Sequence, residues 1–288
     1  MAVVLITGCS SGIGLEASLA FARRGDTTYA SMRNLAKADR LLQRAKAEGL
    51  DVELLALDVN DAESVRAAVA EIEDRHGAID VLVNNAGVGF DGPVETIDLE
   101  AARAVFETNF WGPVRMIRAA LPAMRSRRSG VIVNVTSVAG RVPGNAYMSW
   151  YASSKHAINT LSEGLVMELD GFGVRVACIE PGFFQTEIMQ NASTATQIDR
   201  SNPYAEEHAW MIDFYEKSVS GGAGDPQVVA EAIVAAATDP ETPLHNLVGD
   251  DAAMFVDLVD QAGTIEAWIP IGVTIVESVS GPRPSKGG

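Results

Sequence analysis

The stretch 7-TGCSSGIG-14 follows the apolar run at residues 3–6 and opens a helix-length segment that runs to Arg24. A short buried strand that turns through glycines into a helix is the opening unit of a parallel α/β sheet. Gly8, Gly12 and Gly14 would let the backbone come close to an anion, and a helix start offers its N–H groups and the positive end of its dipole. The spacing differs from G-x-G-x-x-G. Alone, the turn reads either as a pyrophosphate site or as a purely structural turn.

Apolar runs continue to alternate with amphipathic segments. Strands are expected at residues 3–7, 27–31, 52–57, 79–84, 131–136 and 174–180, with a short one near Leu247. Several are almost wholly hydrophobic, as strands covered by helices on both faces are. The pattern predicts a doubly wound α/β fold of Rossmann type, a predominantly parallel seven-stranded sheet with helices on both faces. Gly25 and Gly77 stand where helix C-termini are expected, and Asn34 and Asp61 where N-caps are. Ile158, Leu161, Leu165 and Leu169 recur at helical spacing and give the segment after residue 150 a buried stripe. One domain over 1–280 is the simplest account. Residues 189–224 read as a lid-like insertion with its own helix near 204–218, and 281–288 (GPRPSKGG) as a disordered tail.

A chain of 288 residues, 47% hydrophobic, builds a substantial core. Its net charge of −16, from 38 acidic and 22 basic residues, argues against nucleic acid and anionic membrane surfaces as partners. The two cysteines, Cys9 and Cys178, and the four histidines show neither a disulfide framework nor metal-ligand spacing. The N-terminal apolar run is too short for a signal segment or a membrane span. A soluble, cytoplasmic protein without a metal is expected.

The stretch 150-WYASSK-155 places Tyr151 and Lys155 one helical turn apart on one face. A cation held beside a phenol favours the phenolate; lowering its pKa by about three units takes about 4 kcal/mol of differential interaction. Ser137, at the end of the fifth strand, reaches the carboxyl edge where open α/β sheets bind ligands. TGxxxGIG, NNAG at 84–87, Ser137 and YASSK occur in this order at strand ends. Together they resemble the short-chain dehydrogenase/reductase family, over residues 1–190 and more weakly over 225–249.

The resemblance implies hydride transfer between a nicotinamide and a carbonyl carbon. Tyr151 would be the general acid/base, Ser137 would polarise the oxygen, Lys155 would also hold the ribose, and Asn109 would hold a water behind the lysine. Gly8, Ser10, Ser11, Gly12, Ile13 and Gly14 would cradle the pyrophosphate. Asp58 and Val59 would flank the adenine, although Asp58 equally suits a capping role near Asp61. Asn85, Ala86 and Gly87 would line the cofactor's path. Pro181, Gly182 and Thr186, in IEPGFFQTEI, resemble the family's nicotinamide-end motif. Homodimers or homotetramers are common in the family.

An acid that binds the ribose 2′-OH of NAD normally stands at the end of the second strand. Here 29-YASMRN-34 puts Met32 there, with Arg33 beside it. A guanidinium at that point pairs with a 2′-phosphate, which favours NADP(H), with NAD(H) as the alternative; a solvated surface arginine is the plainer reading. The glycine turn and YASMRN together are similar to the 17β-hydroxysteroid and retinol dehydrogenase branches. Val142, Met148, Phe183, Met189, Trp210 and Phe214 are expected pocket walls, suited to a hydrophobic ketone or secondary alcohol. The same side chains would also suit a lid or a subunit contact. A non-catalytic dinucleotide-binding scaffold is the rival of another class, and the complete Asn–Ser–Tyr–Lys set argues against it.

Overall fold

The computed structural model describes residues 1–144, 146–188 and 201–285. Strands β1 (Val3–Ile6), β2 (Thr27–Met32), β3 (Glu53–Ala56), β4 (Val81–Asn84), β5 (Gly130–Val135), β6 (Val174–Pro181) and β7 (His245–Val248) form one sheet in the order β3-β2-β1-β4-β5-β6-β7. Every pairing is parallel. Each expected strand is present. The order reverses between β1 and β4, so the loops leaving these two strands part and open a crevice at the carboxyl edge.

Helices α1 (Gly12–Arg23), α2 (Asp39–Glu48), α3 (Ala62–His76), α4 (Leu99–Phe106), α5 (Gly112–Arg127), α6 (Ser149–Glu168), α7 (Ala205–Ser220), α8 (Pro226–Thr238), α9 (Asp250–Ala262) and α10 (Ile265–Ser280) complete the chain. Neighbouring strand residues supply opposite faces, as the pleat requires. Val83 and Val133 join the core under α1 and α8 with Leu15, Phe21 and Ile233, while Leu82 and Ile132 join the core under α3, α5 and α6 with Ile72, Met124 and Leu165. Burial on both sides explains why the strands read as unbroken apolar runs. No described helix is long and apolar enough to cross a membrane.

Asp61 caps α3 by accepting from Glu63 N, and Asn34 accepts from Ala36 N to cap a short 3-10 turn, Leu35–Lys37. Between α4 and α5 the chain makes a π-helical turn, Glu107–Trp111. A third apolar cluster lies beyond the sheet cores, where Trp210, Met211 and Phe214 of α7 meet Val276 of α10, with Phe183 and Phe255 against them. Trp210 Nε1 donates to Gly281 O at 2.8 Å, and Arg283 bonds Glu207 of α7. These contacts place residues 281 and 283, from the expected tail, against α7; residues 286–288 lie outside the described residues.

Glu180, near the end of β6, is wholly inaccessible to solvent. Its carboxylate accepts from Asn159 Nδ2 of α6 at 2.9 Å and from Arg141 Nη1 at 3.2 Å, and lies 2.9 Å from His245 Nδ1 of β7. One acid thus ties α6, β7 and the turn after β5 together. Removing one member of a buried charged cluster strands the others without compensation. Glu180→Ala is expected to lose about 3 kcal/mol of stability, read by urea unfolding, whereas Glu63→Ala, on an exposed pair, stays within about 0.5 kcal/mol.

Candidate active site

The glycine turn and the loop after β4 are stitched together. Thr7 Oγ1 accepts from the backbone N–H groups of Asn85 and Ala86, both at 3.0 Å, and Asn85 Nδ2 donates to Thr7 O and Gly8 O. Gly8 and Gly12 adopt φ of 74° and 55°, in the left-handed region that side chains disfavour. A Cβ at Gly14 would fall 2.4 Å from both Gly8 O and Asn85 Nδ2. Gly14 therefore packs beneath the turn rather than facing the cavity. Ser11, the N-cap of α1, makes no side-chain capping bond. The first N–H groups of this helix are left for an anion, and the turn suits a pyrophosphate.

A cavity of about 1390 Å³ runs from this turn along the carboxyl edge. Gly8, Ser10, Ser11, Gly12 and Ile13 line one end, with Arg33, Asp58 and Val59 beside them. Asp58 does not cap α3; its Oδ1 accepts from Asn60 N. Asn85, Ala86 and Gly87 line the middle, as do Pro181, Gly182 and Thr186. Phe183 N donates to Asp251 Oδ2 at 2.6 Å, which fixes the loop after β6 to α9. Thr186 lies against Gly12. Sequence reasoning missed Lys37, which also lines this cavity. Its signal was local: it stands one turn after Arg33, in the 3-10 turn capped by Asn34. Neither cation has an ion-pair partner among the described residues.

Tyr151, Ser137 and Lys155 line the same cavity. Helix α6 can approach the turn after Ser137 because Gly140 lacks a side chain; a Cβ there would meet Lys155 C and O at 2.9 Å. His156 Nδ1 lies 2.8 Å from Gly140 O and fastens the contact. Lys155 is buried, and its Nζ donates to Val135 O at 3.0 Å. Burial pulls its pKa down from 10.5 to about 8. Burial pushes the Tyr151 phenol up, opposed in part by its hydrogen bond with Ser137. The expected lowering of the phenol by the lysine is not met: desolvation dominates the shift, and the Ser137 hydrogen bond is what opposes it.

Asn109 sits in the π-helical turn, a distortion that inserts a residue and re-aims a side chain. Its Oδ1 accepts from Val88 N at 2.9 Å, and its Nδ2 donates to Val88 O and to Ser154 Oγ. Asn109 Oδ1 and Lys155 Nζ flank the same side of Gly87, each about 3.5 Å from where its Cβ would lie. Asn109 itself stands behind the cavity wall.

The far end of the cavity is mainly apolar. Val142, Met148, Phe183, Trp210 and Phe214 all line it; Met189 lies outside the described residues. The wall supplied by α10, through Trp268, Val273 and Val276, was not anticipated. Nothing in its local pattern tells which helix returns over a site formed a hundred residues earlier.

A family model described as short chain dehydrogenase matches residues 2–197. The chain belongs to the short-chain dehydrogenase family. Among curated relatives, retinol dehydrogenase 8 of Bos taurus is 38% identical over 254 residues, 84% of this chain and 80% of the relative. A solved short-chain dehydrogenase from Streptomyces avermitilis is 34% identical, with a TM-score of 0.78 over 94% of this chain and 97% of the other. A gluconate 5-dehydrogenase from Burkholderia cenocepacia, solved with NADP and tartrate, is 26% identical, with a TM-score of 0.71 over 88% and 95%.

The buried lysine gives the chain a pH signature. The folded chain releases the Lys155 proton near pH 8 and the unfolded chain near 10.5, so the unfolded state holds the extra proton between these values. Stability then rises with pH across that window, and the burial penalty is full below it. Lys155→Met should be more stable than the native chain at pH 7, by up to about 3 kcal/mol. The advantage should shrink as pH rises from 8 towards 10.5, as read by thermal unfolding across pH.

Proposed function

We propose that the protein transfers a hydride between NADP(H) and a hydrophobic ketone or secondary alcohol, with Tyr151 as general acid/base and residues 1–280 acting as one catalytic domain. The observation that carries this reading is the meeting of Tyr151, Ser137 and Lys155 in the cavity onto which the glycine turn opens. A bound nicotinamide supplies or takes up the hydride. The side chains handle the proton and the charge.

In the reductive direction, burial keeps the Tyr151 phenol protonated, ready to donate to the carbonyl oxygen as negative charge develops there. Ser137 Oγ already accepts from Ala139 N at 3.1 Å, which leaves its own proton for the substrate oxygen or for Tyr151. Lys155 uses one N–H on Val135 O; an ammonium has two more to offer to ribose hydroxyls. Asn109 is a positioning residue, its amide spent on the Val88 backbone and Ser154.

Arg33 and Lys37 support NADP(H). Two cations just after β2, without an ion-pair partner among the described residues and lining the same cavity as Ser10 and Ser11, suit a 2′-phosphate, and buried Met32 offers no carboxylate to a 2′-hydroxyl. The gluconate dehydrogenase neighbour holds NADP. The apolar walls, and a relative named for retinol, support a hydrophobic substrate. Exposed Trp111 and Met167 fit association into a homodimer or homotetramer.

Two substitutions test the reading. Tyr151→Phe should cut kcat by about a thousandfold while NADPH binding, read by fluorescence titration, stays intact. Arg33→Asp should weaken NADPH by about a hundredfold with NADH little changed; unchanged NADPH affinity would remove Arg33 from the cofactor site.

A further inference from the structure

The chamber beyond Tyr151 is not uniformly apolar. Its wall of α7 and α10 carries a small set of polar side chains, and nearly all have protein partners. Trp210 Nε1 donates to Gly281 O, and Trp268 Nε1 to Pro143 O. Glu207 accepts from Arg283 and from Tyr147 Oη. Behind this wall His208 Nε2 lies 2.8 Å from Asp91 Oδ2, both buried. Tyr215 is the exception.

The half-buried Tyr215 lines the cavity from α7, its ring packed edgewise against Phe183 and Phe214 at centroid distances of 6.3 and 5.4 Å. Its hydroxyl has no hydrogen-bond partner among the described residues. The hydroxyl is not sealed into the protein and lines the cavity, so a ligand oxygen there can accept its proton in place of water. Burial, helped by the Asp91 carboxylate, pushes this phenol up, so it stays a neutral donor. Tyr151 enters the same cavity from α6, on the side of Ser137.

We infer that Tyr215 Oη is a specificity contact, donating a hydrogen bond to a second oxygen on an otherwise apolar substrate, away from the reacting carbon. The inference rests on the reading of this cavity as the substrate site of an oxidoreductase, and it sharpens the substrate class. The molecule is elongated and apolar, with a carbonyl or carbinol at Tyr151 and a hydroxyl or carbonyl oxygen at Tyr215.

Unbranched methyl ketones and their ω-hydroxy counterparts, run as a chain-length series, test this. Affinity is read by isothermal titration with the NADPH-loaded protein and turnover by NADPH absorbance. At one chain length the hydroxylated ketone should bind about tenfold more tightly than its plain counterpart. Tyr215→Phe, which keeps the ring, should bring that ratio close to one. A ratio near one at every length in the native chain overturns the proposal, as does an unchanged ratio in the variant. An affinity difference erased by Tyr215→Phe, with no ketone turned over, supports the contact and defeats the oxidoreductase reading; turnover without the difference defeats the contact alone.

Discussion

A single carbonyl oxygen holds a buried ammonium at the centre of this molecule. Lys155 Nζ donates to Val135 O, and that bond fixes α6 to the end of β5. Ser137 lies two residues beyond the accepting carbonyl, and Tyr151 one helical turn before the lysine. Holding a cation where water is scarce is costly, as the lowered lysine pKa records. The surrounding structure meets that cost with close packing: Gly140 admits the helix backbone, and Glu180 ties Asn159, further along the same helix, to the turn after β5.

The parallel sheet makes this arrangement possible. With every strand running the same way, the loops after β1, β2, β4, β5 and β6 emerge at one edge, and the reversal between β1 and β4 leaves room between them. Residues separated by more than a hundred positions, such as Gly8 and Tyr151, then face one cavity without any long loop to bring them together.

Much of this could be read from sequence because it is encoded locally. The strands are short apolar runs, the turn announces itself through glycines, and Tyr151 and Lys155 share a face by helical spacing alone. What could not be read depends on contacts between distant segments. The π-helical turn that aims Asn109 looks like ordinary helix in sequence, and the direction of the Tyr151 shift depends on how deeply the phenol is enclosed. Tyr215 and the α10 wall follow from how the chain after β6 returns over the sheet. Lys37 lies between these cases, since its spacing from Arg33 was visible but the 3-10 turn that presents it was not.

The apolar cluster of α7 and α10 is separate from the two cores that clamp the sheet. Groups that share no partners tend to vary independently in their energetics. The shape of the far chamber can therefore change, through side chains such as Trp210 or Val276, with little disturbance to the lysine and its carbonyl. The molecule divides into a fixed frame and an exchangeable mould: the first holds the buried lysine and its neighbours in place, the second shapes the chamber beyond them.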